Sequence, residues 1–284
     1  MDFGFSEEQD MLRESARGIT WELDLVCFYS LLDLHFMGEF GELRRRLARF
    51  LKEARERDDL NAITNLRTRL AYIPYLAADE PDQAKTEVSR GIGQWSQEAF
   101  QFQHYFAFFA QTEIVLYRGA GLDAWRMVQS HWSDLKRSFI LHSQNVRVEA
   151  LQLRARAALA AACDDTNGPA RRSKLLRTAD RQARALLREN APSAVGPALL
   201  VRAGVAAARG ARREAIDYLV ASERACASLN MNLHAAVARR RRGELSSGSE
   251  GAELVNEADV WMTSREIRAP ERIAALLAPG EYRP

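Results

Sequence analysis

Along this chain, long stretches of apolar periodicity are broken by short polar or glycine-bearing turns. The clearest stretch is "FQFQHYFAFFAQTEIVLYR", residues 100–118, which contains no glycine or proline. Phe102, Tyr105, Phe106, Phe109, Glu113 and Leu116 recur in it at three- and four-residue steps, with Glu113 the one polar member. That spacing marks one face of a helix, and a run of this length is too long for a typical strand. Phe108 and Val115 add a second apolar face, so this helix is expected to be covered on several sides.

The same pattern predicts helix pairs at 21–37 and 41–57, 59–77 and 81–95, and 100–118 and 121–136. It predicts further pairs at 139–162 and 170–189, 195–208 and 211–229, and 231–243 and 249–265, the last flanking the polar stretch "SSGSEG". Phe139, Val146, Ala150, Leu153, Ala157 and Ala161 read as one apolar stripe of an inner helix. Pro81 suits the first position of a helix, whereas Pro74 falls inside one and is expected to kink it.

The turns repeat as well. Gly38 is followed five residues on by Leu43, Asp79 by Ala84, Gly119 by Ala124 and Gly210 by Ala215. The first three anchors lie 41 and 40 residues apart, and the 91 residues from Gly119 to Gly210 leave room for two units with an enlarged turn at "CDDTNGPARR". A helical hairpin recurring every forty-odd residues is the mark of an α-solenoid. The expectation is all-α, a TPR-like solenoid of five to six hairpins. Residues 1–19 are set apart as an N-terminal helix or foreign head, 20–245 as the array, and 246–284 as a linker with terminal capping helices. Gly119, Gly121 and Ala124 also carry dinucleotide-fingerprint spacing. That motif requires a strand before the glycines and a second strand ending in an acid, and the flanking pattern here is helical.

Composition fits the helical reading, with only 8 proline and 16 glycine in 284 residues. The net charge of +2 is unevenly placed. Residues 1–150 hold 18 basic and 23 acidic side chains, a net of −5, and residues 151–284 hold 22 and 15, a net of +7. Such polarity can steer an acidic partner to the C-terminal half. Three cysteines without CxxC spacing point to a reducing, cytoplasmic setting, with Cys226 a small core residue. No run is long and apolar enough to suggest a membrane span or signal peptide.

Two parts of the chain resemble known families. The motifs "GITWELD", "FGELRRRL", "EARERDDLNAITNLR", "QHYFAFFAQTEIVLYRGAGLDAW", "VRVEALQLRARAALAAA" and "ERIAALLAPG" run in order from Gly18 to the C-terminal end. They resemble the TPR-like helical-repeat region of large bacterial serine/threonine kinases that also carry an AAA-type ATPase. The resemblance implies a regulatory or sensory region of a signalling protein, with a kinase or ATPase as partner. The catalytic motifs of those proteins, GxxxxGK[ST] and HRD, are absent from this sequence. The first 17 residues, "MDFGFSEEQDMLRESAR", resemble instead the start of a flavin-dependent acyl-CoA dehydrogenase. That implies a second reading, a truncated or fused flavin enzyme, which a flavin absorbance would reveal. Asp2-Phe3-Gly4 matches a magnesium-holding kinase tripeptide, but nothing upstream of it supplies a catalytic loop.

No catalytic constellation, cofactor or metal site is expected. The five histidines, His35, His104, His131, His142 and His234, lack metal-ligand spacing. Arg239–Arg242 spread around about 300° of a helix, so nucleic acid is not expected as a partner. The cluster Trp95, Phe100, Phe102, Tyr105, Phe106, Phe108 and Phe109 reads mainly as core. Polar side chains on first helices line the concave face of a solenoid, which makes Asn65, Arg69, His104, Gln111 and Arg147 the expected face for a protein or peptide partner. The resulting expectation is a non-enzymatic interaction module.

Overall fold

In a computed structural model of the chain, residues 7–164 and 168–283 are described, with side chains from Glu22 onward. Asp2-Phe3-Gly4, the side chains of the N-terminal head and the middle of "CDDTNGPARR" lie outside them. The four turn anchors share one geometry. Gly38, Asp79, Gly119 and Gly210 all have positive φ, between 58° and 83°. At each, one amide reaches back to the carbonyl three residues earlier and the next amide to the carbonyl five earlier. Gly38 N–H donates to His35 O at 3.1 Å and Glu39 N–H to Leu34 O at 2.8 Å, and Gly119 and Ala120 do likewise to Leu116 and Val115. This paired closure satisfies the last carbonyls of a helix. Leu43, Ala84, Ala124 and Ala215, five residues on, are fully buried.

The same closure occurs at Asp58, Asn230 and Glu266, which also have positive φ. Gly38, Asp58 and Asp79 therefore follow at steps of 20 and 21 residues, and Gly210 and Asn230 at 20. In "GAGLDA" the two glycines have different duties. Gly119 takes up the left-handed turn, while a Cβ on Gly121 would lie 2.6 Å from the Ala160 backbone, so glycine there lets two helices touch.

The helices are α1 Glu7–Met37, α2 Phe40–Glu56, α3 Leu60–Arg69, α4 Tyr72–Ala77, α5 Pro81–Ile92, α6 Phe102–Tyr117 and α7 Gly121–Arg137. After a 3-10 turn at Phe139–His142 follow α8 Gln144–Ala162, α9 Pro169–Arg188, α10 Pro192–Ala208, α11 Arg212–Ala227, α12 Asn232–Leu245, α13 Gly248–Ser264 and α14 Pro270–Leu277. No strand occurs among the described residues. The fold is all-α, with neighbouring helices packed on one another. α1 runs unbroken past residue 19.

Two local expectations need correction. The helix over 59–77, expected to kink at Pro74, is interrupted fully, at Leu70 and Ala71. Pro74 has no N–H to give and its ring would clash with the carbonyl four residues back, which is Leu70's. The helix expected from 139 begins only at Gln144, because Ser138 and Ser143 are both extended. Phe139 consequently leaves its stripe and is 84% exposed, while Val146, Ala150, Leu153, Ala157 and Ala161 remain buried.

The last helices return to the first. Arg268 N–H donates to Ala77 O at 2.8 Å, Arg44 pairs with Glu266 at 2.6 Å, and Arg265 pairs with Glu39. Trp261 lies so close over Gly38 that a Cβ there would meet its ring at 2.7 Å. α14 buries Pro270, Ile273, Ala274, Leu276 and Leu277 and packs on α6 and α12.

Candidate functional site

Charged and hydroxyl side chains from consecutive helices meet in the interior. Arg69, at the end of α3, is 3% exposed and donates to Glu149 of α8 at 2.7 Å. Tyr105 of α6 donates to the other oxygen of Glu149 at 3.3 Å, and the Arg69 guanidinium lies 4.7 Å from the Phe109 ring centroid. One turn further on, Glu113 of α6 accepts from Tyr72 of α4 and from Arg156 of α8, both at 2.5 Å. Arg156 is 1% exposed and also donates to the Leu276 carbonyl at the end of α14, at 3.2 Å. Four helices are thereby tied through two carboxylates.

The electrostatics follow from burial and pairing. Burial pushes the Glu113 carboxyl up, but the Arg156 charge and the hydrogen bonds from Tyr72 and Arg156 outweigh it and hold the carboxyl below its usual range. Burial, together with the neighbouring carboxylates, raises the Tyr72 and Tyr105 hydroxyls well above the ordinary tyrosine range. His35 and His234 stand beside this cluster. Burial lowers His35 to about 4 and His234 to about 3, and neither Nδ1 has a hydrogen-bond partner. A cavity of about 20 Å³ is lined by His35, Tyr72, Glu113 and Leu276 among others. It has room for about one water. Both Glu113 oxygens are already taken, so this constellation binds helices together.

A second, open feature lies where the α13–α14 connection meets α2 and α4. A cleft of about 480 Å³ has Phe40, Pro74 and Ile267 among its apolar lining and Arg44, Glu266 and Arg268 as its charged residues. Its size falls in the range of ligand sites. Ala77 and Ala78 of the α4 end also line it.

The five side chains expected on a concave face are placed differently from one another. Asn65 is held by Asn61 at 2.8 Å and Gln103 at 3.0 Å. His104 Nδ1 accepts from the Gln101 amide at 3.1 Å and caps α6. Gln111 is half-buried on α6. Arg147 pairs with Glu189 at 2.8 Å and donates to the carbonyls of Leu141 and His142 at 3.0 and 2.9 Å. Arg69 is spent in the interior. Arg69 and Arg147 therefore serve as ties between elements, while Asn65, His104 and Gln111 are half-buried.

Sequence reasoning missed Tyr72, Glu149, Arg156, His35 and His234 as members of the interior cluster. A signal existed for one side of it, since Glu113 was the single polar residue in an apolar stripe and such a residue needs a buried cation. Among the described residues no group of His, Cys, Asp or Glu is placed to hold a metal ion. No helix among them is long and apolar enough to cross a membrane. Cys163 and Cys226 are both raised to about 11, chiefly by burial, which keeps them as thiols. No family model matches the chain, and neither a curated protein nor a solved structure is significantly similar to it.

Proposed function

We propose that this chain is a non-catalytic, TPR-like helical-repeat module that binds a protein or peptide partner in a regulatory role. The observation that supports it is the recurrence of one helix-closing turn, each followed by a tightly packed second helix, at steps near 20 and 40 residues. Units of that kind stack into arrays whose surfaces serve as docking platforms. A kinase or ATPase is the partner class implied by the resemblance of the sequence to kinase-associated repeat regions.

The partner is placed in the cleft between α2, α4 and the α13–α14 connection. The cleft combines an apolar lining with the half-exposed Arg44–Glu266 pair and the exposed Arg268. A short apolar segment with an acidic side chain suits that lining. The test is affinity capture with the full chain from bacterial lysate, run in parallel with Ala78→Trp, which fills the cleft. One defined protein held by the native chain and released by Ala78→Trp is the expected result. A protein held equally by both, or nothing held by folded chain, overturns the reading.

A further inference from the structure

α9 carries the least compensated charge in the molecule. Its exposed side includes Lys174, Arg177, Arg181, Arg184 and Arg188. At 100° per residue these five fall within an arc of about 80°, and at 1.5 Å per residue the line is about 21 Å long. The single acid on the helix, Asp180, is 17% exposed and already shared between Arg184 at 3.0 Å and Arg202 at 3.7 Å. Arg177 donates to the Ser173 hydroxyl and Arg188 to a carbonyl of its own helix, and no described carboxylate pairs with Lys174, Arg177, Arg181 or Arg188.

Beside this line sits a further cation with no counter-charge. Arg154 of α8 lies over Trp132 of α7, 4.0 Å from the ring centroid, and 5.9 Å from that of Trp125. Its Nε is buried without a hydrogen-bond partner. Burial, with the charge of Arg181 added, disfavours the charged form of Arg154. Two guanidiniums with no described acid paired to either form a place where an anion relieves repulsion. At the other end of the line, Arg147 ties Glu189, the residue after Arg188, to the Phe139–His142 turn. That turn presents Phe139, 84% exposed, with its ring 5.5 Å from that of His142.

We propose that α9 and Arg154 form a track for a single-stranded nucleic acid, with phosphates along Lys174–Arg188 and an unpaired base stacked on Phe139. Three features choose this occupant among polyanions. Arginine dominates the line, and its planar fork suits phosphate oxygens. The exposed side of α9 has no bulky apolar residue, which a membrane-lying helix or the centre of a protein interface needs. One row of cations ending in an exposed aromatic ring matches one strand with accessible bases, the pattern of single-strand binders. Arg239–Arg242, on which nucleic acid had been set aside, are spent on internal ion pairs, whereas α9 is a separate surface.

The experiment is fluorescence anisotropy of the full chain with labelled oligo(dT) and oligo(rU) of about 15 nucleotides. With five phosphates neutralised, the logarithm of affinity should fall with that of salt at a slope near −3.5, about −0.7 per contact. Arg177→Glu with Arg181→Glu should weaken binding at least roughly tenfold and flatten the slope by about 1.4. Phe139→Ala should weaken it about fivefold or more while leaving the slope alone. Comparing the two oligonucleotides tells RNA from DNA. Vesicles of phosphatidylserine and polyglutamate are the competing probes. Binding to either of those without binding to an oligonucleotide overturns the proposal, as does oligonucleotide binding unchanged by the double charge reversal. Both substituted arginines face solvent, so a matched thermal melt shows that the variant is folded.

Discussion

α9 and α12 are both rich in arginine, and they use it in opposite ways. In α12 every member of Arg239–Arg242 meets a carboxylate. Arg239 and Arg242 share Glu223 of α11, Arg240 reaches Asp259 of α13 and also Glu244, and Arg241 bonds both Glu244 and the Ala278 carbonyl. In α9 the one acid, Asp180, pairs with a single member of the row, Arg184, and with Arg202 of α10. The sequence of α12 advertises its charge in a run of four, yet that charge is consumed by α11, α13 and the chain's C-terminal segment. α9 spaces its cations over about four helical turns and keeps them exposed. What an arginine does is therefore decided by the acids its neighbours supply, not by the density of the run that contains it.

The strongest way to break this contrast is to remove an arginine at the consumed extreme. Arg156 joins Glu113 of α6 to the Leu276 carbonyl of α14. Arg156→Ala leaves the Glu113 carboxylate buried with only Tyr72 and the more distant Arg69 charge. Stripping one partner from a buried pair costs about 3–5 kcal/mol. Urea unfolding of Arg156→Ala should show a loss of that order, and Arg156→Met with Glu113→Gln should recover part of it, because no charge is then stranded. A loss below about 1 kcal/mol for Arg156→Ala would mean that the pair is wet and does not hold α14 in place.

The next effect comes from acid. His35 and His234 ordinarily titrate near 6.5, and burial lowers them to about 4 and about 3 in the folded chain. Above pH 6.5 both states are neutral at these sites, and no cost arises. As pH falls below 6.5 the unfolded chain takes up protons that the folded chain refuses, so stability declines. The limiting slope is about 1.4 kcal/mol per pH unit for each histidine, reaching on the order of 3 kcal/mol for His35 by pH 4. Glu113 acts in a lower window, because its contribution is complete above its ordinary value of 4.5 and is lost only as pH falls through its depressed folded value. Urea midpoints between pH 7 and 5 therefore report the histidines. His35→Leu with His234→Leu should flatten that slope, and parallel slopes in the two proteins would remove the histidines from the account.

How much of this was legible depends on whether the signal is local. The turn at Gly38, Gly119 and Gly210 shows in sequence because glycine takes positive φ without strain. Asp58, Asn230 and Glu266 adopt the same closure with side chains that also occur anywhere on a helix surface, so three of the seven turns were invisible. The misplacement of Phe139 has the same origin: periodicity carried the helix through Ser138 and Ser143, which are extended. Arg69 was assigned to a face correctly as helical position but wrongly as open surface, because its partner Glu149 lies 80 residues away. No local pattern announces that α13 and α14 return to α1, α2 and α4. The stripe on α9, by contrast, could have been read directly from its spacing.

The smallest expected effect is the sharpest discriminator between the two helices. Arg241 of α12 is nearly buried, donating to Ala278 O at 3.0 Å with its guanidinium 4.7 Å from the Tyr282 ring centroid. Arg241→Ala should cost about 1–3 kcal/mol, the range for a charged hydrogen bond lost to a buried acceptor. Arg181→Ala of α9 removes an exposed cation that pairs with no acid and stands against Arg154. Its effect should lie within about 0.5 kcal/mol of zero and, if anything, stabilise at low salt, since it relieves a like-charge contact. Raising the salt should erase the difference between Arg181→Ala and the native chain while leaving the Arg241→Ala deficit in place, because screening reaches the surface and not the interior. Equal losses in the two variants, or an Arg181→Ala loss that persists in high salt, would mean that α9 is tied to the fold as α12 is, and that its charge is not held open for a partner.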